Sequence, residues 1–186
     1  PCLPRRGTVS AGAAGRLVAV TVIGHDRPGI VAQTTRLLAD VGANLEDSTM
    51  TLLRGHFAMV LLARTSASTA DVTAALAPIE SDGTLQVSVR EVPDEELAQP
   101  GGTAYLLSVH GADRAGIVSA VTGLVAAAGG NITDLSTRLR GELYVLLAEV
   151  DLPPEAAVAG LTARLAEEAS RLGVDATLRP LDTDLL

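Results

Sequence analysis

Residues 20–48 read "VTVIGHDRPGIVAQTTRLLADVGANLEDS", and residues 107–135 read "LSVHGADRAGIVSAVTGLVAAAGGNITDL". The offset is 87 residues, and from Val22 against Val109 to Ser48 against Leu135, 13 of 27 aligned positions are identical. Agreement at that level marks an internal duplication. The chain is therefore two copies of one supersecondary unit of about 80 residues, a common size for a small domain. The expected organisation is a disordered tail at 1–15, a first domain at 16–92, a linker at 93–102 and a second domain at 103–183. The linker "PDEELAQPGG" is rich in proline, glycine and acidic residues, which interrupt regular structure.

Each copy divides into elements by hydrophobic period. "RLVAVTVIG" at 16–24 is apolar and β-branched and ends at glycine, which predicts a buried strand. Ile30, Val31, Thr34, Leu37, Leu38 and Val41 fall at helical spacing, with Pro28 suited to the first turn and Gly42 to the stop. "NLEDSTMTLL" and "HFAMVLLAR" predict two strands joined at Arg54-Gly55. A helix over 69–81, with Val72, Leu76 and Ile79 inward, precedes the closing strand "TLQVSVREV". The second copy repeats the order: strand 103–111, a helix with Ile117, Val118, Val121, Leu124, Val125 and Ala128 on one stripe, and strands 131–139 and 142–151. Helix 154–172 and strand 174–181 complete it. The order βαββαβ, twice, predicts an α+β protein of two tandem ferredoxin-like domains. Each has an antiparallel four-stranded sheet with two helices on one face.

Composition narrows the function classes. The 186 residues carry a net charge of −8 with no lysine, and the imbalance lies entirely in the second half. Residues 1–93 hold 8 arginines against 8 carboxylates, whereas residues 94–186 hold 6 against 14. A nucleic-acid binder needs basic surface to neutralise phosphates, so no direct nucleic-acid contact is expected. One cysteine, Cys2, allows neither an internal disulfide nor a thiolate metal site, which fits a cytoplasmic protein. No apolar run reaches the ~20 residues of a membrane span, and the start is a poor signal peptide.

The repeated phrase falls where the first strand of each copy becomes the first helix. Helix starts leave N–H groups without partners and carry partial positive charge, so they receive anions. Gly29 and Gly116 let a ligand or a neighbouring backbone come close. Asn44 and Asn131, after the helix, offer an amide that both donates and accepts. A carboxylate at the helix start and an ammonium at the amide oxygen would describe an amino-acid zwitterion. Plain structural roles stand beside this: Asp26 and Asp113 as N-caps, the glycines as packing positions, the asparagines as turn residues. "GHDRPG" lacks the spacing and lysine of a phosphate loop, and G-x-G-x-x-G is absent. The histidines His25, His56 and His110 are not equivalent between the copies, no nucleophile accompanies them, and no metal-ligand spacing occurs. No catalytic set, metal or cofactor is expected.

These residues resemble the ACT domain, a small amino-acid-sensing module with a D-x-P-G-[IL] phrase at the first strand–helix junction and a G-x-N-I phrase after the helix. The resemblance spans residues 16–183. Two tandem units without a catalytic domain are most similar to the glycine cleavage system transcriptional repressor family. The resemblance implies a non-catalytic regulator that binds a small amino acid such as glycine or serine, with effector sites where one unit meets another. It implies a protein partner, either a transcription factor or a metabolic enzyme on which the chain acts in trans as a regulatory subunit, and a homo-oligomer. Carried over residue by residue, the ligand would touch Asp26, Arg27, Pro28, Gly29, Ile30, Val31 and Asn44. The second site would use Asp113, Arg114, Gly116, Ile117, Val118 and Asn131. Ala115 stands where the family has proline, which sets the second loop apart from the first.

Overall fold

The computed structural model describes residues 15–94 and 102–181. The expected tail and most of the expected linker lie outside these residues. The chain divides into two compact units near residue 96.

The first unit runs β1 (Arg16–His25), α1 (Ile30–Asp40), β2 (Asn44–Leu53), β3 (His56–Thr65), α2 (Thr69–Leu76) and β4 (Leu85–Val92). The second runs β5 (Thr103–Ala112), α3 (Ile117–Ala127), β6 (Asn131–Arg140), β7 (Leu143–Leu152), α4 (Val158–Leu172) and β8 (Val174–Pro180). Each unit is one antiparallel sheet, in the order β2-β3-β1-β4 and β6-β7-β5-β8. The two βαββαβ units are therefore as the alternation of periods predicts.

Side chains alternate across a strand, so each sheet has one face turned to its helices. In the first unit Val18, Val20 and Val22 meet Phe57, Met59 and Leu61 with Ile30 and Leu38 of α1 and Val72 and Leu76 of α2, all buried. In the second, Leu107 and Val109 join Leu146, Ala148, Val150, Ile117, Val121, Leu161 and Leu165. Matching β-bulges interrupt the β2 and β6 ladders, between Leu45 and Asp47 and between Ile132 and Asp134.

The element ends depart from the sequence reading for local reasons. α2 stops at Leu76 and tightens into a 3-10 turn at Ala77–Glu80, because Pro78 removes a backbone donor. α4 begins at Val158 rather than 154, since Pro153 and Pro154 hold the entering chain in a turn. Pro28 sits in the turn before α1 and not in its first turn, because Gly29 is the N-cap.

Candidate functional site

The two strand–helix junctions share one backbone design. Gly29 and Gly116 cap α1 and α3 in the left-handed region, with φ of 90° and 96°. A side chain in that region costs roughly 1–2 kcal/mol, so the turn favours glycine in both units. The Gly29 and Gly116 carbonyls accept the first helical bonds, from Gln33 and Ala120 at 2.9 Å each. The N–H groups of the intervening residues precede that first bond and face the loop. No side chain caps either helix, so Asp26 and Asp113 are not N-caps. A β-carbon at Gly29 or Gly116 would find no atom beyond the adjoining residues within 4 Å, so it is backbone conformation and not crowding that favours glycine at each helix start.

The first junction is the more firmly anchored. His25 N–H donates to the Thr84 carbonyl at 2.9 Å and Asp26 N–H to the Gly55 carbonyl at 3.0 Å. Among the described residues neither bond has a counterpart in the second unit. The Arg27 guanidinium donates to Gln33 Oε1 at 3.1 Å and lies 3.4 Å from Asp82, an ion-pair contact in which the buried Nε is not aligned for a hydrogen bond. The hydroxyl and N–H of Thr84 hold the Asp82 carboxyl below its ordinary range, and Arg27 adds to the effect. Arg114 instead lies over Gly173, where a β-carbon would stand 3.5 Å from its Nε. The repeated arginine thus serves two different surroundings.

The expected site residues separate into three places. Asp26, Pro28, Gly29 and Val31 are exposed at the first junction, as are Asp113, Arg114, Gly116 and Val118 at the second, and Arg27 is half-buried. Ile30 and Ile117 are core residues, 2% and 1% exposed, so their side chains are withdrawn from any ligand. Asn44 lies opposite Arg64, which lies opposite Leu17, at the far end of β1 from Asp26. Nine strand residues separate the two ends, about 30 Å. Asn131, through Asp151 and Ala104, is as far from Asp113. Within one unit the loop and the asparagine therefore do not close around one small zwitterion, because α1 and α3 carry the chain back along the sheet.

Asn131 borders a groove of about 480 Å³ with Ser119, Thr122, Gly123, Ala126 and Gly130. The aligned positions in the first unit hold Arg36 and Ala43 in place of Gly123 and Gly130. Two junction residues escaped the sequence reading: Gly24 and Gly111, where a β-carbon would stand 2.1 Å from the Thr84 oxygen and 2.7 Å from Val174 Cγ1. Their identity across the repeat was the available signal. Among the described residues no three His, Cys, Asp or Glu side chains gather as a metal site, and no helix is long and apolar enough to cross a membrane.

Comparison with known proteins gives the same repeat. The ACT domain model matches twice, at residues 16–90 and 103–179. A UPF0237 protein of Methanococcus maripaludis is 33% identical over 76 residues, covering 39% of this chain and 84% of that protein. A UPF0237 protein of Methanopyrus kandleri is 60% identical over 43 residues, 23% of this chain, and the match spans about half (48%) of that relative. Among solved structures, a protein of unknown function from Galdieria sulphuraria is similar with a TM-score of 0.76 and 30% identity, covering 90% of this chain and 99% of that one. A protein proposed to be a glycine cleavage system transcriptional repressor shares the fold with a TM-score of 0.66 at 18% identity, covering 92% of this chain and 100% of its own.

Proposed function

This chain belongs to the ACT domain family, and on that premise we propose that it is a cytoplasmic regulator without catalysis of its own. It takes a small amino acid such as glycine or serine at its strand–helix junctions and alters the behaviour of a protein partner. The observation that carries this reading is the pair of helix starts. Each begins at an exposed left-handed glycine, without a capping side chain, and a β-carbon there would meet no atom beyond the adjoining residues within 4 Å. Free N–H groups at the positive end of a helix receive a carboxylate.

The partner is a protein rather than DNA, because the second half is strongly acidic and a duplex would repel it. A transcription factor is the partner most in keeping with the repressor-like pattern of the sequence. An effector changes that partner only if it binds two arrangements of the protein with different affinity.

A thermal-unfolding screen over the common amino acids tests the reading. An effector at 100 times its Kd adds ~2.7 kcal/mol of stability, so glycine or serine should raise the transition clearly. Absence of a shift with every amino acid sinks the proposal. Gly29→Asn and Gly116→Asn keep a residue that tolerates the left-handed turn while filling the open space. Retained binding in the folded double variant removes the junctions as the site.

A further inference from the structure

The two helix starts are alike in backbone, so it is the arginine beside each that tells the junctions apart. In the first unit Arg27 is occupied. Its guanidinium donates to Gln33 Oε1 at 3.1 Å and stands 3.4 Å from the Asp82 carboxylate. That carboxylate is itself fixed, accepting from the Thr84 N–H at 2.9 Å and from the Thr84 hydroxyl at 2.7 Å. A carboxylate arriving at Arg27 would meet a cation already shared with a charge of its own sign, and two carboxylates at one site repel.

The second unit lacks each of these partners. The residue aligned with Gln33 is Ala120. Leu85 pairs with Gly24 and Val174 with Gly111, so β4 and β8 enter their sheets at equivalent points. Asp82 stands three residues before Leu85, and three before Val174 stands Arg171, which pairs with Glu168. Arg114 is exposed, its guanidinium lies over Gly173, and among the described residues it has no ion-pair partner. The turn differs as well: Pro28 has no N–H to offer, whereas Ala115 adds one donor. The acidic surplus of the second half does not reverse the preference. Exposed charges more than about 10 Å away are largely screened at 0.1 M salt, while a guanidinium grips a carboxylate at contact through charge-assisted hydrogen bonds.

We propose that each chain takes a single carboxylate-bearing effector, at the second junction, with Arg114 as the residue that selects that junction. Asp82 denies the first junction to an anion by occupying Arg27. The inference rests on the amino-acid sensor reading and narrows it from two junctions to one. It also reverses the order that the D-x-P-G phrase suggests, because the copy without the proline is the one that binds.

Isothermal titration with glycine, serine and the other common amino acids, with circular dichroism to confirm folding, tests it. The wild-type protein should bind one molecule per chain. Arg114→Gln should weaken binding about tenfold or more relative to Arg27→Gln, the scale of one hydrogen bond to a charged group. Ala115→Pro should weaken it too, although it restores the family phrase, and the first unit already carries proline in the same turn. Two equal sites per chain overturn the proposal. So does binding that Arg27→Gln abolishes and Arg114→Gln keeps, binding that survives both substitutions, or a folded Ala115→Pro protein that binds as tightly as wild type. Each of these outcomes leaves an amino-acid sensor standing. A wild-type protein that binds no amino acid at all overturns the sensor reading and this inference together.

Discussion

Gly24 lies against Thr84 so closely that a β-carbon on residue 24 would stand 2.1 Å from the Thr84 carbonyl oxygen, the same oxygen that accepts the His25 N–H at 2.9 Å. One carbonyl therefore both requires the glycine and holds the strand end that leads into the first junction. Gly24→Ala should destabilise the first unit by about 1–3 kcal/mol, the usual range for overpacking. Gly111→Ala should cost less than Gly24→Ala, because its nearest obstacles, Val174 Cγ1 at 2.7 Å and Val174 Cα at 2.9 Å, stand farther from the added β-carbon. Urea denaturation of the two variants checks the order.

Gly29→Ala meets open space but not a permissive backbone. With φ at 90°, the substitution should cost about 1–2 kcal/mol, from conformation rather than collision. Gly29→Asn should recover part of that loss, since asparagine tolerates the region better. If the two variants unfold at the same denaturant concentration, strain is not what selects glycine there.

Thr34 is fully buried and its hydroxyl donates to the Ile30 carbonyl at 2.9 Å. The aligned residue of the second unit is Val121, equally buried. Removing a buried donor whose acceptor keeps a helical partner leaves nothing orphaned. Thr34→Val should therefore change stability by less than about 1 kcal/mol, and a calorimetric scan gives the value directly.

Ser68 and Asp71 form a capping box at the start of α2: the Ser68 hydroxyl accepts from Asp71 N–H at 3.1 Å, and the Asp71 carboxylate accepts from Ser68 N–H at 3.2 Å. The Ser68 hydroxyl also donates to that carboxylate and is the main reason its pKa is lowered. A carboxyl with a depressed folded pKa stabilises above its unfolded pKa, about 3.9, and the gain is lost as pH falls through the folded value. The stability difference between wild type and Asp71→Asn should be full near pH 7 and shrink below about pH 4. A difference that grows on acidification contradicts the cap. Ser68→Ala should cost about 1 kcal/mol at neutral pH.

The architecture was legible because it rests on local periods. The stripe Ile30, Thr34, Leu38 at helical spacing and the alternation Val18, Val20, Val22 on β1 each name a buried face without knowledge of any neighbour. The Pro78 break and the late start of α4 were less legible, since proline weakens a helix without saying which side of it survives.

What the sequence alone determined is the duplication and the βαββαβ order, both set by short-range backbone and side-chain geometry. Tertiary structure decided the rest. Asp26 and Asn44 stand 18 residues apart in sequence, yet strand pairing through Arg64 and Leu17 puts them at opposite ends of the sheet. Pairing register couples residues distant along the chain, and no local period encodes it.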